Sequence, residues 1–184
     1  MISILKLDNY NSGIRVEEGK RMGVAVLPMP IIIDGDTYYE DVNLSAPDFY
    51  RFLKEGRAVS TSQPAPSDVL DMWEDLLGRF DEVVYIPMSS GLSGSCQTAL
   101  AFARYYDGKV QVADNRRISV TQRLSVMDAL ALRNAGCSAL EIKRELERTA
   151  LDAMIYIGLD TLEYSYPTLE YLSIAASKAS SKES

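Results

Sequence analysis

Histidine is absent from this sequence, and cysteine occurs only twice in its 184 residues. Without histidine there is no Ser-His-Asp or Cys-His catalytic arrangement, and the commonest side-chain ligand of transition metals is missing. Cys96 and Cys137 lie far apart among apolar or small residues, so we interpret them as packing residues rather than as a disulfide framework. The sequence therefore predicts no metal site and no cofactor.

Positive charge is also scarce, because 19 Lys and Arg stand against 26 Asp and Glu, for a formal net charge of −7. Binding to a nucleic-acid backbone needs clustered Lys and Arg, so we expect no nucleic-acid partner. No apolar run approaches the ~20 residues that span a bilayer. The first apolar run is followed at once by Asp8 and Asn9, unlike a signal peptide. We therefore expect a cytoplasmic protein without a membrane span.

Short apolar runs alternate with longer amphipathic stretches, in a chain long enough for one well-buried domain. Strands are predicted at residues 2–7, 24–27, 83–87, 110–113 and 154–157. Helices are predicted at residues 15–22, between Ser45 and Gly56, at 68–80, 96–103 and 118–134, and from Ser138 onward. This alternation predicts an α/β fold whose mainly parallel sheet is flanked by helices. Three isoleucines, then Asp34-Gly35, then Thr-Tyr-Tyr predict a β-hairpin insertion.

Details of two helices can also be predicted. Ser67 is a suitable N-cap for the helix at 68–80. In the last helix, Leu140, Ile142 and Leu146 are expected to form the inward face.

The segment 89–95 contains four serines, two glycines and one leucine between a predicted buried strand and a predicted helix. Open α/β sheets bind ligands at such strand-to-helix loops. Glycine lets a ligand approach the backbone, and the helix N-terminus and the serine hydroxyls favour an anion. The alternative is an ordinary loop with a capped helix, because Ser and Gly are common in both.

A second hydroxyl-rich segment, 60–67, contains four Ser or Thr residues and two prolines. It also precedes a predicted helix, so the two loops could converge on one small acidic group. The alternative is a capped loop with no ligand.

Other polar residues give weaker signals. Asp8, Asp114 and Asp160 each follow a predicted strand, but Asp is commonplace in turns and N-caps. We interpret Arg116 and Arg117 as solvated side chains at a helix start, with contact to an acidic ligand or partner as the alternative. Without histidine, no general base is visible for a serine nucleophile, so we expect no enzyme activity.

The two hydroxyl-rich segments resemble the signature loops of the DegV family of bacterial fatty-acid-binding proteins. These loops read Thr61-Ser62-Gln63-Pro64-Ala65-Pro66 and Ser89-Ser90-Gly91-Leu92-Ser93-Gly94-Ser95. Further similarity lies at residues 31–35, 44–50 and 159–164. The resemblance covers roughly residues 17–164, in the order that the family has.

The resemblance implies an N-terminal DegV-type domain that holds the carboxylate of a long-chain fatty acid. Carried onto this sequence, the carboxylate-binding residues are Thr61 and Ser93. The supporting residues are Ser62, Ser90 and Gly94. Studied members of the family present the fatty acid to a kinase that makes an acyl-phosphate, so the resemblance implies a carrier without catalysis of its own.

The sequence departs from the family pattern at both ends. Asn-Tyr-Asn at 9–11 replaces the usual Asp-Ser-Thr, and 165–168 replaces a basic Gly-Gly-Arg turn that leads into a second domain. We therefore expect a DegV-like domain at 1–164, a divergent tail at 165–184 that frays toward its end, and no second domain. The half site that remains would expose apolar surface and favour a homo-oligomer. The alternative function is a truncated interaction or oligomerisation domain that binds no lipid.

Overall fold

The computed structural model describes residues 1–7, 13–40 and 42–155, with the backbone alone at 5–7. Its main sheet contains β1 (Ile2–Leu7), β2 (Val24–Leu27), β6 (Glu82–Ile86) and β7 (Val110–Val112). The four strands are parallel and lie in the order β2-β1-β6-β7. Helices flank this sheet: α1 (Val16–Met22), α3 (Pro66–Leu77), α4 (Ser95–Ala103), α5 (Ser119–Asn134) and α6 (Ala139–Arg148). The predicted α/β fold with a mainly parallel sheet is confirmed.

The central strand β6 is apolar on both faces because both faces are covered. Val84 and Ile86 pack with residues of α5 and α6, whereas Val83 and Tyr85 pack toward α3 and α4. On the second face, the fully buried Trp73 meets the ring of Tyr85 edge-on at 5.7 Å between centroids. The continuous apolar run from Val83 to Ile86 is therefore explained by burial on two sides.

A second, antiparallel sheet contains β3 (Pro30–Ile33), β4 (Asp36–Tyr39) and β5 (Val59–Thr61), in the order β4-β3-β5. The predicted hairpin is confirmed, with Asp34 and Gly35 both at positive φ in its two-residue turn. The helix α2 (Ala46–Lys54) connects β4 to β5, and its N-cap Ser45 accepts a hydrogen bond from the backbone N–H of Asp48.

The sequence did not predict β5, because its residues read as part of a polar loop. Ser60 and Thr61 are in a strand since they pair with Ile32 and Ile31 of β3. This long-range pairing outweighs the weak local signal of the segment.

Two predicted details of the helices are wrong. Helix α3 begins at Pro66 with Ala65 as its N-cap, because proline is well suited to the first helical position, so Ser67 lies inside the helix. On α6, Leu140 is 39% exposed, and the residue that completes the buried face with Ile142 and Leu146 is Ala139.

The remaining helix and strand predictions agree with the structure where it describes the chain. Both Cys96 and Cys137 are free, the first buried and the second half-buried. Met154 and Ile155 are not in a strand, and the rest of the predicted strand at 154–157 lies outside the described residues. Among the described residues, no helix has the length and apolar character needed to cross a membrane.

Gly19 provides a test of the packing between α1 and β2. A Cβ atom at Gly19 would overlap Cγ2 of Val26 and lie 2.9 Å from the carbonyl oxygen of Val24. We expect Gly19→Ala to lower the free energy of unfolding by about 1–3 kcal/mol, although alanine is the better helix former. Thermal unfolding followed by circular dichroism should show a melting temperature several degrees lower.

Gly78→Ala is the matched control, because a Cβ atom there would meet its nearest atom, the carbonyl oxygen of Asp75, at 3.4 Å. This variant should keep the melting temperature of the wild type. A Gly19→Ala protein as stable as the wild type would contradict the close approach of α1 to β2.

Candidate functional site

A cavity of about 380 Å³ lies where the loop after β6 meets the end of β5. Its polar lining comes from Thr61, Ser62, Gln63, Ser93 and Gly94. Its apolar lining comes from Met29, Met88 and Leu92. The structure therefore brings both hydroxyl-rich segments to one cavity, between the two sheets and at the N-terminus of α4.

Backbone hydrogen bonds hold the loop after β6 in a compact shape. The carbonyl oxygen of Ser89 accepts from the N–H groups of Leu92 (3.0 Å) and Ser93 (3.1 Å). The N–H of Ser89 donates to the carbonyl oxygen of Arg117 at 3.2 Å, which ties this loop to the one before α5. These contacts fix the position of Ser93 within the loop.

The hydroxyl of Ser93 makes hydrogen bonds within its own loop. Its Oγ accepts from the backbone N–H of Ser95 at 3.1 Å and lies 2.9 Å from Oγ of Ser95. Either hydroxyl of this pair can donate to the other, because hydroxyl hydrogens rotate. Ser93 can therefore turn its proton toward a ligand while Ser95 donates to Ser93.

On the opposite wall, Thr61 is the last residue of β5 and is exposed. The next residue, Ser62, continues the sheet contact, since its N–H donates to the carbonyl oxygen of Pro30 at 3.3 Å. Pairing with β3 therefore positions both hydroxyl-bearing residues at the cavity.

Gln63 also lines the cavity, although the sequence did not single it out. Its Oε1 accepts from Oγ1 of Thr98 on α4 at 3.4 Å, and this contact joins the two walls. With the carbonyl oxygen held in this way, the amide Nε2 is available as a donor. The position of Gln63 between Ser62 and Pro64, in the signature loop, is the sequence feature that could have identified it as a lining residue.

Ser90 is not among the residues that line the cavity. Its N–H donates to Oδ1 of Asp114 at 3.3 Å, and the N–H of Asp114 in turn donates to Oε1 of Glu147 at 3.3 Å. The carboxylate of Asp114 therefore supports the loop from outside the cavity. Asp8 and Asp160, the other aspartates after predicted strands, lie outside the described residues.

The interpretation of Arg116 and Arg117 as two solvated side chains is right for Arg116 and wrong for Arg117. Arg117 is 6% exposed, and its guanidinium donates to Oγ of Ser125 (3.2 Å) and to the carbonyl oxygen of Thr149 (2.5 Å). Arg116 has a positive φ of 55°, so the backbone turns locally at this residue. The side chain of the next residue, Arg117, points into the domain. The buried arginine thus joins α5 to the end of α6 instead of facing solvent or a ligand.

The cavity is lined by uncharged side chains at the N-terminal end of a helix. Hydroxyl and amide donors together with the helix dipole can bind a carboxylate without a cationic partner. The nearby thiol of Cys96 is not a nucleophile at neutral pH, because burial, reinforced by the charge of Asp114, raises its pKa to about 12. Within the described parts of the chain, no cluster of three or more Cys, Asp or Glu could hold a metal ion.

Comparison with known proteins identifies the family. The family described as "uncharacterised protein, DegV family" matches residues 11–164. A DegV domain-containing protein of Caldanaerobacter subterraneus is 31% identical over 148 residues, which are 80% of this chain and 53% of that protein. One from Listeria monocytogenes is 35% identical over 151 residues, covering 79% of this chain and 53% of its own length. The chain thus spans about half the length of these relatives.

Solved structures agree in fold. A DegV family protein from Thermus thermophilus, described by its fatty acid binding, superposes with a TM-score of 0.71 at 28% identity, over 81% of this chain and 53% of that one. DegV of Bacillus subtilis, described as a fatty acid binding protein, superposes with a TM-score of 0.70 at 25% identity. This match also covers 81% of this chain and 53% of that one. The family match covers residues 11–164, which include both loops that line the cavity, and this chain therefore belongs to the DegV family.

Proposed function

We propose that this chain binds a long-chain fatty acid without catalysing a reaction, and that the cavity between the two sheets holds the carboxylate. The observation that carries this proposal is the convergence of Thr61, Ser62 and Ser93 on one uncharged cavity at the N-terminus of α4. Hydrogen bonds from neutral donors to a charged acceptor contribute about 1.5–3 kcal/mol each. Two or three of them suit one carboxylate.

The apolar lining supports a lipid rather than a small polar acid. Met29, Met88 and Leu92 lie beside the hydroxyl groups, so the first methylenes of an acyl chain would meet apolar surface. Burial of each methylene contributes about 0.8 kcal/mol, and methionine adapts its shape to flexible ligands. A short acid such as acetate would lack this contribution.

Membership of the family supports a role as a carrier. The related proteins from Thermus thermophilus and Bacillus subtilis are described by fatty acid binding. In this proposal, residues 1–164 act as the DegV-type domain and present the fatty acid to a fatty acid kinase in the cytoplasm. The reaction then belongs to the kinase.

A second candidate function is an interaction or oligomerisation domain that binds no lipid. Three exposed apolar side chains on α5, Val120, Leu124 and Met127, favour it, because they form a surface that another polypeptide can cover. Native mass spectrometry separates the two candidates. A co-purified C14–C18 fatty acid supports the carrier, whereas a ligand-free oligomer supports the interaction domain.

Removal of the two signature hydroxyls tests the proposed site. We expect Thr61→Ala and Ser93→Ala each to weaken the binding of hexadecanoate about 10- to 100-fold, because each variant loses one hydrogen bond to a charged group. The measurement is equilibrium dialysis with radiolabelled hexadecanoate. Thr37→Ala and Ser67→Ala are matched controls, since both residues are exposed and neither lines the cavity.

Circular dichroism would verify that the variants are folded, since the hydroxyl of Ser93 also accepts from the N–H of Ser95. Unchanged affinity in both variants would refute the site. Failure of the wild-type chain to bind hexadecanoate would refute the proposed function for this chain.

Gln63 allows a test of the charge of the ligand. In a Gln63→Glu variant, a carboxylate would replace the amide beside the bound anion, and like charges at this distance repel. We expect hexadecanoate to bind at least ten-fold more weakly at pH 7. Binding of 1-hexadecanol, which has no charge, should change little, and an equal loss for both ligands would contradict a carboxylate site.

A further inference from the structure

Two hydrogen bonds in series join the loop after β6 to the last turn of α6. The N–H of Ser90 donates to Oδ1 of Asp114 at 3.3 Å. The N–H of Asp114 donates in turn to Oε1 of Glu147, also at 3.3 Å. We call this connection of Glu147, Asp114 and Ser90 the α6 relay. None of its three residues lines the cavity, so the relay reaches the loop without touching the position proposed for the carboxylate.

The carboxylate of Asp114 lies near both ends of the loop. It accepts from Ser90 near the start, and Cys96 follows the end of the loop in the first turn of α4. Burial raises the pKa of the Cys96 thiol to about 12, and the charge of Asp114 adds to the shift because the carboxylate is close. Ser93 lies between these two positions in the chain. A displacement of Asp114 would therefore disturb the loop on both sides of Ser93.

Helix α6 holds the backbone of Asp114 through an ion pair. Nζ of Lys143 lies 3.3 Å from Oε1 of Glu147 and also donates to the carbonyl oxygen of Val112 at 2.7 Å. Val112 is the last residue of β7, two residues before Asp114. Lys143 and Glu147 thus bond backbone groups on either side of Ala113. This arrangement fixes Asp114 relative to α6 and leaves its side chain to accept from the loop.

A second connection leads from the end of α6 to the same loop. The carbonyl oxygen of Thr149, the C-cap of α6, accepts from the guanidinium of Arg117 at 2.5 Å. The carbonyl oxygen of Arg117 accepts from the N–H of Ser89 at 3.2 Å. Two successive residues of the loop, Ser89 and Ser90, are therefore anchored to the same helix end by separate paths.

We propose that Glu147 and Asp114 are positioning residues for the carboxylate site, and that the end of α6 controls the affinity of this site through them. The inference rests on the proposed function, because it concerns the binding of a carboxylate at Ser93. Both residues act by holding the loop that carries the Ser93 hydroxyl. Anything that displaces the end of α6 would then change binding at Ser93 without contacting the ligand, which is a coupling between two separate sites.

Amide hydrogen exchange in the absence of ligand tests the relay directly. We expect Glu147→Ala to speed exchange of the Ser90 N–H by about 3- to 10-fold, because the loss of one hydrogen bond loosens the loop. Glu147→Gln should keep the wild-type rate, since the amide retains an acceptor oxygen although the ion pair with Lys143 is lost. Glu145→Ala is the matched control, because Glu145 is another ion-paired glutamate of α6, with Arg148 as its partner at 2.7 Å.

Equilibrium dialysis with hexadecanoate then tests the effect on affinity. We expect Asp114→Ala to weaken binding about ten-fold and Glu147→Ala about 3- to 10-fold, with Glu147→Gln close to the wild type. The double variant of Asp114→Ala and Glu147→Ala should bind no more weakly than Asp114→Ala alone, because both residues lie on one path. Exchange of the N–H of Ile4, a core residue of β1, reports on overall stability and should change less than that of Ser90.

Four results would overturn the proposal. They are unchanged exchange at Ser90 in Glu147→Ala, an equal effect of Glu145→Ala, equal losses in Glu147→Gln and Glu147→Ala, or unchanged affinity in Glu147→Ala when the wild type binds hexadecanoate. The third result would assign the effect to the ion pair with Lys143. If the wild type does not bind hexadecanoate, the proposed function fails, and the exchange rates still decide whether α6 controls the loop.

Discussion

The burial of β6 on both faces is the constraint on which the candidate site depends. Val83 to Ile86 are fully buried, and the parallel pairing of β6 with β1 and β7 fixes where the strand ends. Gln122 of α5 then donates to the carbonyl oxygen of Ile86 at 3.2 Å and satisfies the end of the strand. The serine-rich loop therefore starts from a position that the core determines. This fixed start helps a loop of flexible residues to keep a defined shape.

The second wall of the site has a different origin. The antiparallel sheet has its own small core of Ile31, Ile33 and Leu44, and the pairing of β5 with β3 carries Thr61 to the cavity. The hydrogen bond between Thr98 and Gln63 joins this wall to α4. The cavity thus lies at the junction of two sheets, a common position for ligand sites because residues from separate elements converge there.

The sequence predicts correctly the structural features that depend on residues close together in the chain. Prediction fails for features that depend on residues far apart in the chain. Val83 to Ile86, the Asp34-Gly35 turn and the helix starts at Ser45 and Ser138 carry their signals within a few residues, and all are confirmed. Ser60 and Thr61 are in a strand because they pair with Ile32 and Ile31, which are remote in sequence. The buried Arg117 likewise bonds the distant Thr149. Resemblance to the family pointed to the two loops, but only the fold shows that Gln63 lines the cavity and Ser90 does not.

Magnitudes indicate what the cavity can contribute to lipid binding. A few hydrogen bonds to a carboxylate contribute several kcal/mol before desolvation of the carboxylate is subtracted, whereas complete burial of an acyl chain of 16 carbons would contribute about 12 kcal/mol. In the proposed function, the hydroxyl groups therefore determine which end of the ligand enters, and apolar surface along the acyl chain determines how tightly it binds. In that proposal, recognition of the carboxylate depends on Thr61, Ser62 and Ser93 of the described domain. Selectivity for a carboxylate and affinity for a lipid are then separate properties of the fold, which depend on different residues.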